Sequence, residues 1–151
     1  MKATGIVRRI DELGRVVIPK EIRRTLRIRE GDPLEIYTDR EGGVILRKYS
    51  PIGELSGFAK EYTESLVRAL GNTAVICDKD QVISASGTAR RELQDKSLSP
   101  ELERVMQERK TVSMSGQEGK RIPIAADEDA AAYTAQVIAP ILVEGEAVGA
   151  V

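Results

Sequence analysis

Residues 4–26 read TGIVRRIDELGRVVIPKEIRRTL, and the order of residue types in that stretch decides how the chain begins. Residues 5–10 have strand character: Ile6 and Ile10 share one face, Val7 and Arg9 the other. Asp11-Glu12-Leu13-Gly14 is turn chemistry, with a glycine free to take positive φ. Residues 15–18 form a second expected strand, stopped by Pro19, and proline suits the first turn of a helix. That helix, 20–26, sets Ile22 and Leu26 four residues apart and carries Arg23, Arg24 and Thr25 between them. Two helical turns do not hold without packing partners.

Working outward, a second strand pair follows. Glu30-Gly31-Asp32-Pro33 is a turn, 34–37 alternates, Arg40-Glu41-Gly42-Gly43 is a hairpin loop and 44–49 returns. Four short strands and one short helix make a core too small to stand alone, so this part is expected to associate with a second copy. Ser50-Pro51-Ile52-Gly53 reads as a compact linker with two breakers. Residues 54–70 then carry Leu55, Phe58, Ala59, Tyr62, Leu66, Ala69 and Leu70 at helical spacing, closed by Gly71. That stripe packs either on its own domain or on the same helix of another subunit. Strands are predicted over 73–77 and 81–85, helices over 88–95 and 100–109, and the second helix has Ser99 as N-cap and Pro100 in its first turn. Residues 113–120 read as a loop, 133–142 as a strand, and Val143-Glu144-Gly145-Glu146 as a hairpin turn into a last strand ending at Val151. A domain seldom ends on an uncapped apolar strand, so the body is expected to be truncated at Val151.

Composition removes several chemistries. The 151 residues include no histidine, no tryptophan and one cysteine, Cys77. A Ser-His-Asp or Cys-His catalytic arrangement, a His/Cys zinc site and an intrachain disulfide are therefore excluded. No catalytic residue, metal site or cofactor is expected, and the chain reads as a non-enzyme. No apolar run reaches the ~18 residues of a membrane span, so the expected location is cytoplasmic, on the nucleoid. The net charge of −1 conceals a division. Residues 1–50 hold 12 basic and 8 acidic side chains, a net +4, against 11 and 16 in 51–151, a net −5. A basic head on an acidic body suits a head that meets a polyanion.

The stretch ELGRVVIPKEIRRTL, with its glycine, proline and arginines all in step, resembles the N-terminal DNA-binding domain of the AbrB-type transition-state regulators, the swapped-hairpin β-barrel family. With its acidic body, the whole chain resembles the sporulation-regulator branch of that family. The resemblance implies an α+β protein in which two N-terminal segments exchange hairpins into one intertwined dimeric barrel. It also implies double-stranded DNA as the partner, with AT-rich promoters the family-level expectation. The matching basic positions are Arg8, Arg15, Arg23 and Arg24, with Lys2, Arg9 and Lys20 as secondary contacts. Arginine remains charged at any working pH and offers a planar fork to phosphate or to the guanine edge. The bland reading of each is a surface ion pair, with Asp11, Glu12 or Glu21 as partners. Aromatic content of 3% argues against stacking on single strands, which leaves duplex DNA read partly by shape.

The body is similar in element order to a GAF domain, an α/β ligand-sensing fold. The expected division is 1–52 for the DNA-binding domain, 53–55 for a linker and 56–151 for the GAF-like domain, whose association would make a homotetramer. A small ligand there is unidentified, and candidate pocket residues fall in 84–88 and 133–138. Cys77, in an apolar strand, reads as a buried inert thiol, and Asp127-Glu128-Asp129 as solvated carboxylates. The expected function is activation and repression of sporulation genes. The alternatives are an antitoxin with the same N-terminal fold, and a small-molecule sensor acting mainly through the body.

Overall fold

The computed structural model describes residues 2–117 and 119–151, and the chain divides into two compact units, Met1–Tyr49 and Ser50–Val151. The division falls slightly ahead of the boundary expected at residue 52. Residues 50–53, read as a linker, are the start of the second unit.

In the first unit the helix α1 spans Lys20–Thr25 directly after Pro19. Strands β1 (Leu34–Thr38) and β2 (Val44–Lys48) form an antiparallel hairpin with Leu34 opposite Lys48 and Thr38 opposite Val44. Asp39 closes its loop by accepting from the N–H groups of Glu41 at 3.0 Å and Gly43 at 2.6 Å. Residues 5–10 and 15–18, expected as strands, join no sheet within this one chain. A strand is a relation between two segments, and within one copy these two meet no partner strand. The same unit lacks an interior. Among its described residues only Pro19 is buried, while Val7 is 85%, Val17 69% and Val44 69% exposed.

The second unit has a core. Helix α2 (Pro51–Glu54) starts at Ser50, whose hydroxyl accepts from Gly53 N–H at 2.9 Å, so the two expected breakers instead begin a helix. Helix α3 (Ser56–Leu70) ends at Gly71, in the left-handed conformation at φ 74°. Strands β3 (Ala74–Cys77) and β4 (Val82–Ser86) follow, then α4 (Arg90–Leu93), α5 (Pro100–Glu108) and β5 (Val112–Ser115). A 3-10 turn (Ala130–Ala132) precedes β6 (Ala135–Ile138), β7 (Pro140–Val143) and β8 (Glu146–Ala150). Ser99 caps α5 as its sequence predicts, accepting from Leu102 N–H at 3.0 Å.

Four strands form an antiparallel sheet in the order β4-β3-β8-β7, and β5 pairs separately with β6. The single strand expected over 133–142 is therefore two strands in two sheets. Its bend at Ala139 is tied to Val151 by two backbone hydrogen bonds of 2.8 and 2.9 Å. Residues 113–115, part of the loop expected over 113–120, belong to a strand because β6 supplies an edge; Glu118 lies outside the described residues.

The two sheet faces differ because the register of β3 against β4 slips between Ile76 and Cys77. The slip puts Val82 beside Ala85 on the face that packs with Leu102, Val105 and Met106 of α5. Ser84 and Ser86 turn to the other face, under α3. The outer edge of β4 is closed by one side chain: Gln94 accepts from Ala85 N–H and donates to Ile83 C=O, both at 2.9 Å. Strands β3 and β8 approach so closely that a Cβ on Gly149 would lie 2.1 Å from the Cys77 carbonyl oxygen.

Candidate nucleic-acid interface

All seven basic residues predicted to meet DNA lie in the first unit, and all are exposed. Lys2, Arg8 and Arg9 sit on the N-terminal segment, Arg15 on the turn that follows, and Lys20, Arg23 and Arg24 on α1. Arg8 leans on the backbone, donating from Nη1 to Val7 C=O at 3.4 Å. Arg23 donates from Nε to Ile18 C=O at 3.2 Å, which folds its stem back over the proline that starts the helix. Ile22 is half-buried on the inner side of that helix, leaving Arg23 and Arg24 outside.

Arg15 alone among the seven is in an ion pair among the described residues, at 2.8 Å from Asp11. The other six keep their charge unneutralised, so the bland reading of Arg8, Arg23 and Arg24 as members of surface ion pairs does not describe them here. Hydrogen bonds from the Arg15 backbone and then its side chain hold the Asp11 carboxyl below its ordinary value of 3.8.

The candidate pocket segments of the body have mostly structural work. Ser84 and Ser86 each bond Thr63 at 2.9 Å, Tyr133 donates its hydroxyl proton to Glu128, and Ile138 is in the core. Gln136 holds Ile122 through both backbone groups, at 2.9 and 2.7 Å. Gly87, with Glu64, Val67, Arg68, Ser86 and Arg90, lines an open cleft of about 320 Å³. Cys77 is buried, and burial pushes its thiol up to about 12. The Asp127-Glu128-Asp129 run is divided among local tasks: Asp127 pairs with Lys96 at 2.9 Å, Glu128 accepts from Ile124 N–H at 2.6 Å, and Asp129 accepts from Ala131 N–H at 3.0 Å. No group of three or more Cys, Asp or Glu that could hold a metal occurs among the described residues. Nor is any described helix long and apolar enough to cross a membrane.

Sequence reasoning missed three groups that only the fold assembles: the Thr63–Ser84–Ser86 hydroxyls, Gln94, and the buried Arg121. Arg121 donates to the carbonyls of Tyr133 at 3.1 Å and Thr134 at 2.7 Å and so pins the segment before β6.

Residues 54–151 match the family described as stage V sporulation protein T C-terminal, transcription factor. Stage V sporulation protein T of Bacillus subtilis is 56% identical over 151 residues, covering 100% of this chain and 83% of the relative. The chain belongs to the stage V sporulation protein T family. It is a transcriptional regulator of sporulation, and the relatives of that family are transcription factors. Residues 7–54 also match the family described as antidote-toxin recognition MazE, bacterial antitoxin. The transition state regulatory protein AbrB of Bacillus subtilis is 69% identical over 51 residues, 34% of this chain and 52% of that one. The solution structure of the AbrB N-domain, at the same identity, covers 34% of this chain and 96% of its own, with a TM-score of 0.31.

Proposed function

We propose that the chain regulates sporulation genes by occupying promoter duplexes through Arg8, Arg15, Arg23 and Arg24, with Lys2, Arg9 and Lys20 as flanking phosphate contacts. The observation that carries this reading is the row of exposed basic side chains on arm, turn and helix, six of the seven without an ion-pair partner among the described residues. Unneutralised arginines on a surface suit a polyanion. Sequence identity adds support, since the matching N-terminal domain of AbrB is described as a DNA recognition domain.

The DNA-binding form is an intertwined dimer made by hairpin exchange. Support comes from the segments of the first unit that join no sheet and from Ile6, Val16, Val17, Ile36 and Leu46, which one copy leaves exposed. A second copy offers both a pairing edge and an apolar cover. The body is GAF-like, and its association into a tetramer is supported by the exposed Leu55, Phe58, Tyr62 and Leu70 of the α3 region. Phe58 and Tyr62 stack there with centroids 6.0 Å apart. Four linked heads raise occupancy through effective concentration. Such a regulator works in the cytoplasm on the nucleoid, with AT-rich promoters as its targets and both activation and repression as outcomes. The folded core over Ser50–Val151 disfavours the antitoxin alternative, which needs a short, poorly structured tail.

The test is fluorescence anisotropy on an AT-rich promoter duplex across a salt series, comparing wild type with the Arg15→Ala/Arg23→Ala double variant. Neutralising about six phosphates gives a log K against log salt slope of about −5. Salt-sensitive binding that the double variant loses supports the reading; equal affinity in both proteins overturns it.

A further inference from the structure

Arg15 is the exception among the seven basic residues, and the turn that makes it so is tightly built. Asp11 Oδ1 accepts from Leu13 N–H at 3.0 Å and from Arg15 N–H at 2.8 Å. Asp11 Oδ2 accepts from Arg15 Nε at 2.8 Å. The Asp11 N–H donates to Arg15 C=O, and the Gly14 N–H to Asp11 C=O, both at 3.0 Å. Gly14, at φ 76°, permits the reversal. Every one of these hydrogen bonds involves Asp11, and Asp11 holds Arg15 at its N–H, its C=O and its side chain.

The side-chain bond engages only the inner nitrogen. A guanidinium carries five N–H donors, of which Nε supplies one. The four donors on Nη1 and Nη2 of Arg15 make no hydrogen bond among the described residues, and the side chain is 71% exposed. A carboxylate that fully engaged this arginine would take two of its N–H donors. Asp11 takes Nε alone and leaves the Nη pair, which matches a phosphate or the guanine O6/N7 pair, without a partner among the described residues. An unanchored arginine loses rotamer freedom when it binds, and ordering it beforehand removes part of that cost from association.

Resting on the DNA-binding reading above, we infer that Asp11 is a positioning residue, which anchors Arg15 through Nε so that its Nη edge is presented to DNA. The charge of Asp11 would by itself repel phosphate, so its net effect on binding is opposite in sign to what charge counting gives.

The experiment is a mutant cycle on the full chain, read by anisotropy on an AT-rich promoter duplex at one low salt concentration. Asp11→Asn keeps an oxygen for the Leu13 and Arg15 N–H groups and closes the turn, but turns an amide nitrogen toward Nε. Circular dichroism melts of each variant verify that it folds. Arg15→Ala is expected to weaken binding about tenfold, and Asp11→Asn about three- to fivefold. The double variant should be no weaker than Arg15→Ala alone. Arg15→Lys keeps the charge but has no Nε edge, so adding Asp11→Asn to it should cause no further loss of affinity. Two results overturn the inference: tighter binding by Asp11→Asn, which makes Asp11 a competitor, or the same loss with and without Arg15, which makes it independent. Wild-type affinity in Arg15→Ala is a separate outcome, which refutes the Arg15 contact and removes the inference along with it.

Discussion

Thr63 lies on α3 with no exposed surface, and its hydroxyl is the meeting point of three hydrogen bonds. It donates to Lys60 C=O at 3.0 Å, which commits its one proton. Its two lone pairs must then take the Ser84 and Ser86 hydroxyl protons, each at 2.9 Å. Thr63→Val keeps the shape and removes the acceptor, leaving two buried hydroxyls on β4 without a partner. Each orphan costs about 1–3 kcal/mol. Allowing for partial rotation toward other acceptors, the expected loss is about 3 kcal/mol, or roughly 15 °C in Tm for a unit of this size. The assay is thermal and urea unfolding of the full chain by far-ultraviolet circular dichroism, following the transition of the body. The control is Thr63→Val/Ser84→Ala/Ser86→Ala. Removing all partners together leaves nothing orphaned, so the triple variant should recover to within about 1 kcal/mol of wild type. A single variant within about 0.5 kcal/mol of wild type, or a triple variant no better than the single, would refute the reasoning.

Gly149→Ala forces a methyl group to 2.1 Å from the Cys77 carbonyl oxygen, so β3 and β8 must part. A loss of more than about 3 kcal/mol is expected, seen as a lowered Tm or as insoluble expression. Cys77 is buried with its thiol pushed up to about 12, so a disulfide reagent at pH 8 should leave it unmodified in the native chain and modify it promptly in urea. The Asp11 carboxyl is held below its ordinary 3.8, so the order it brings to the Arg15 turn is present above that value and lost as pH falls through the lowered one. With no histidine in the chain, DNA affinity should be nearly flat between pH 6 and 8. It should drop only as pH falls below 3.8, where titrations at constant ionic strength would detect the change.

Much of the body was legible because its signals are local. Ser99 with Pro100 at the start of α5, Gly71 at the end of α3 and Glu144-Gly145 between β7 and β8 act through their own backbone preferences. The misreadings have separate causes. Residues 50–53 carry proline and glycine, which break a helix interior but begin one when a serine stands in front. Residues 113–115 were read as part of a polar, glycine-bearing loop, yet the edge of β6 makes them a strand. The seven basic residues were legible as a set from charge and motif. The pairing of Arg15 with Asp11 was legible only as one of several ion pairs, because spacing alone does not say which carboxylate the turn will aim at which nitrogen.

Residue identity and short-range spacing alone settle the family, the basic head, the exclusion of histidine- and disulfide-based chemistry, and the helix caps at Ser99 and Gly71. Only the tertiary structure decided which face of β4 is polar, which glycine cannot be replaced, and which carboxylate holds Arg15. Those outcomes depend on a register slip, a close strand crossing and a turn closed on itself, none of which has a fixed distance in sequence. The unpaired segments at 5–10 and 15–18 mark the limit on both sides: their residues favour strands, and a strand becomes real only where a second edge meets it.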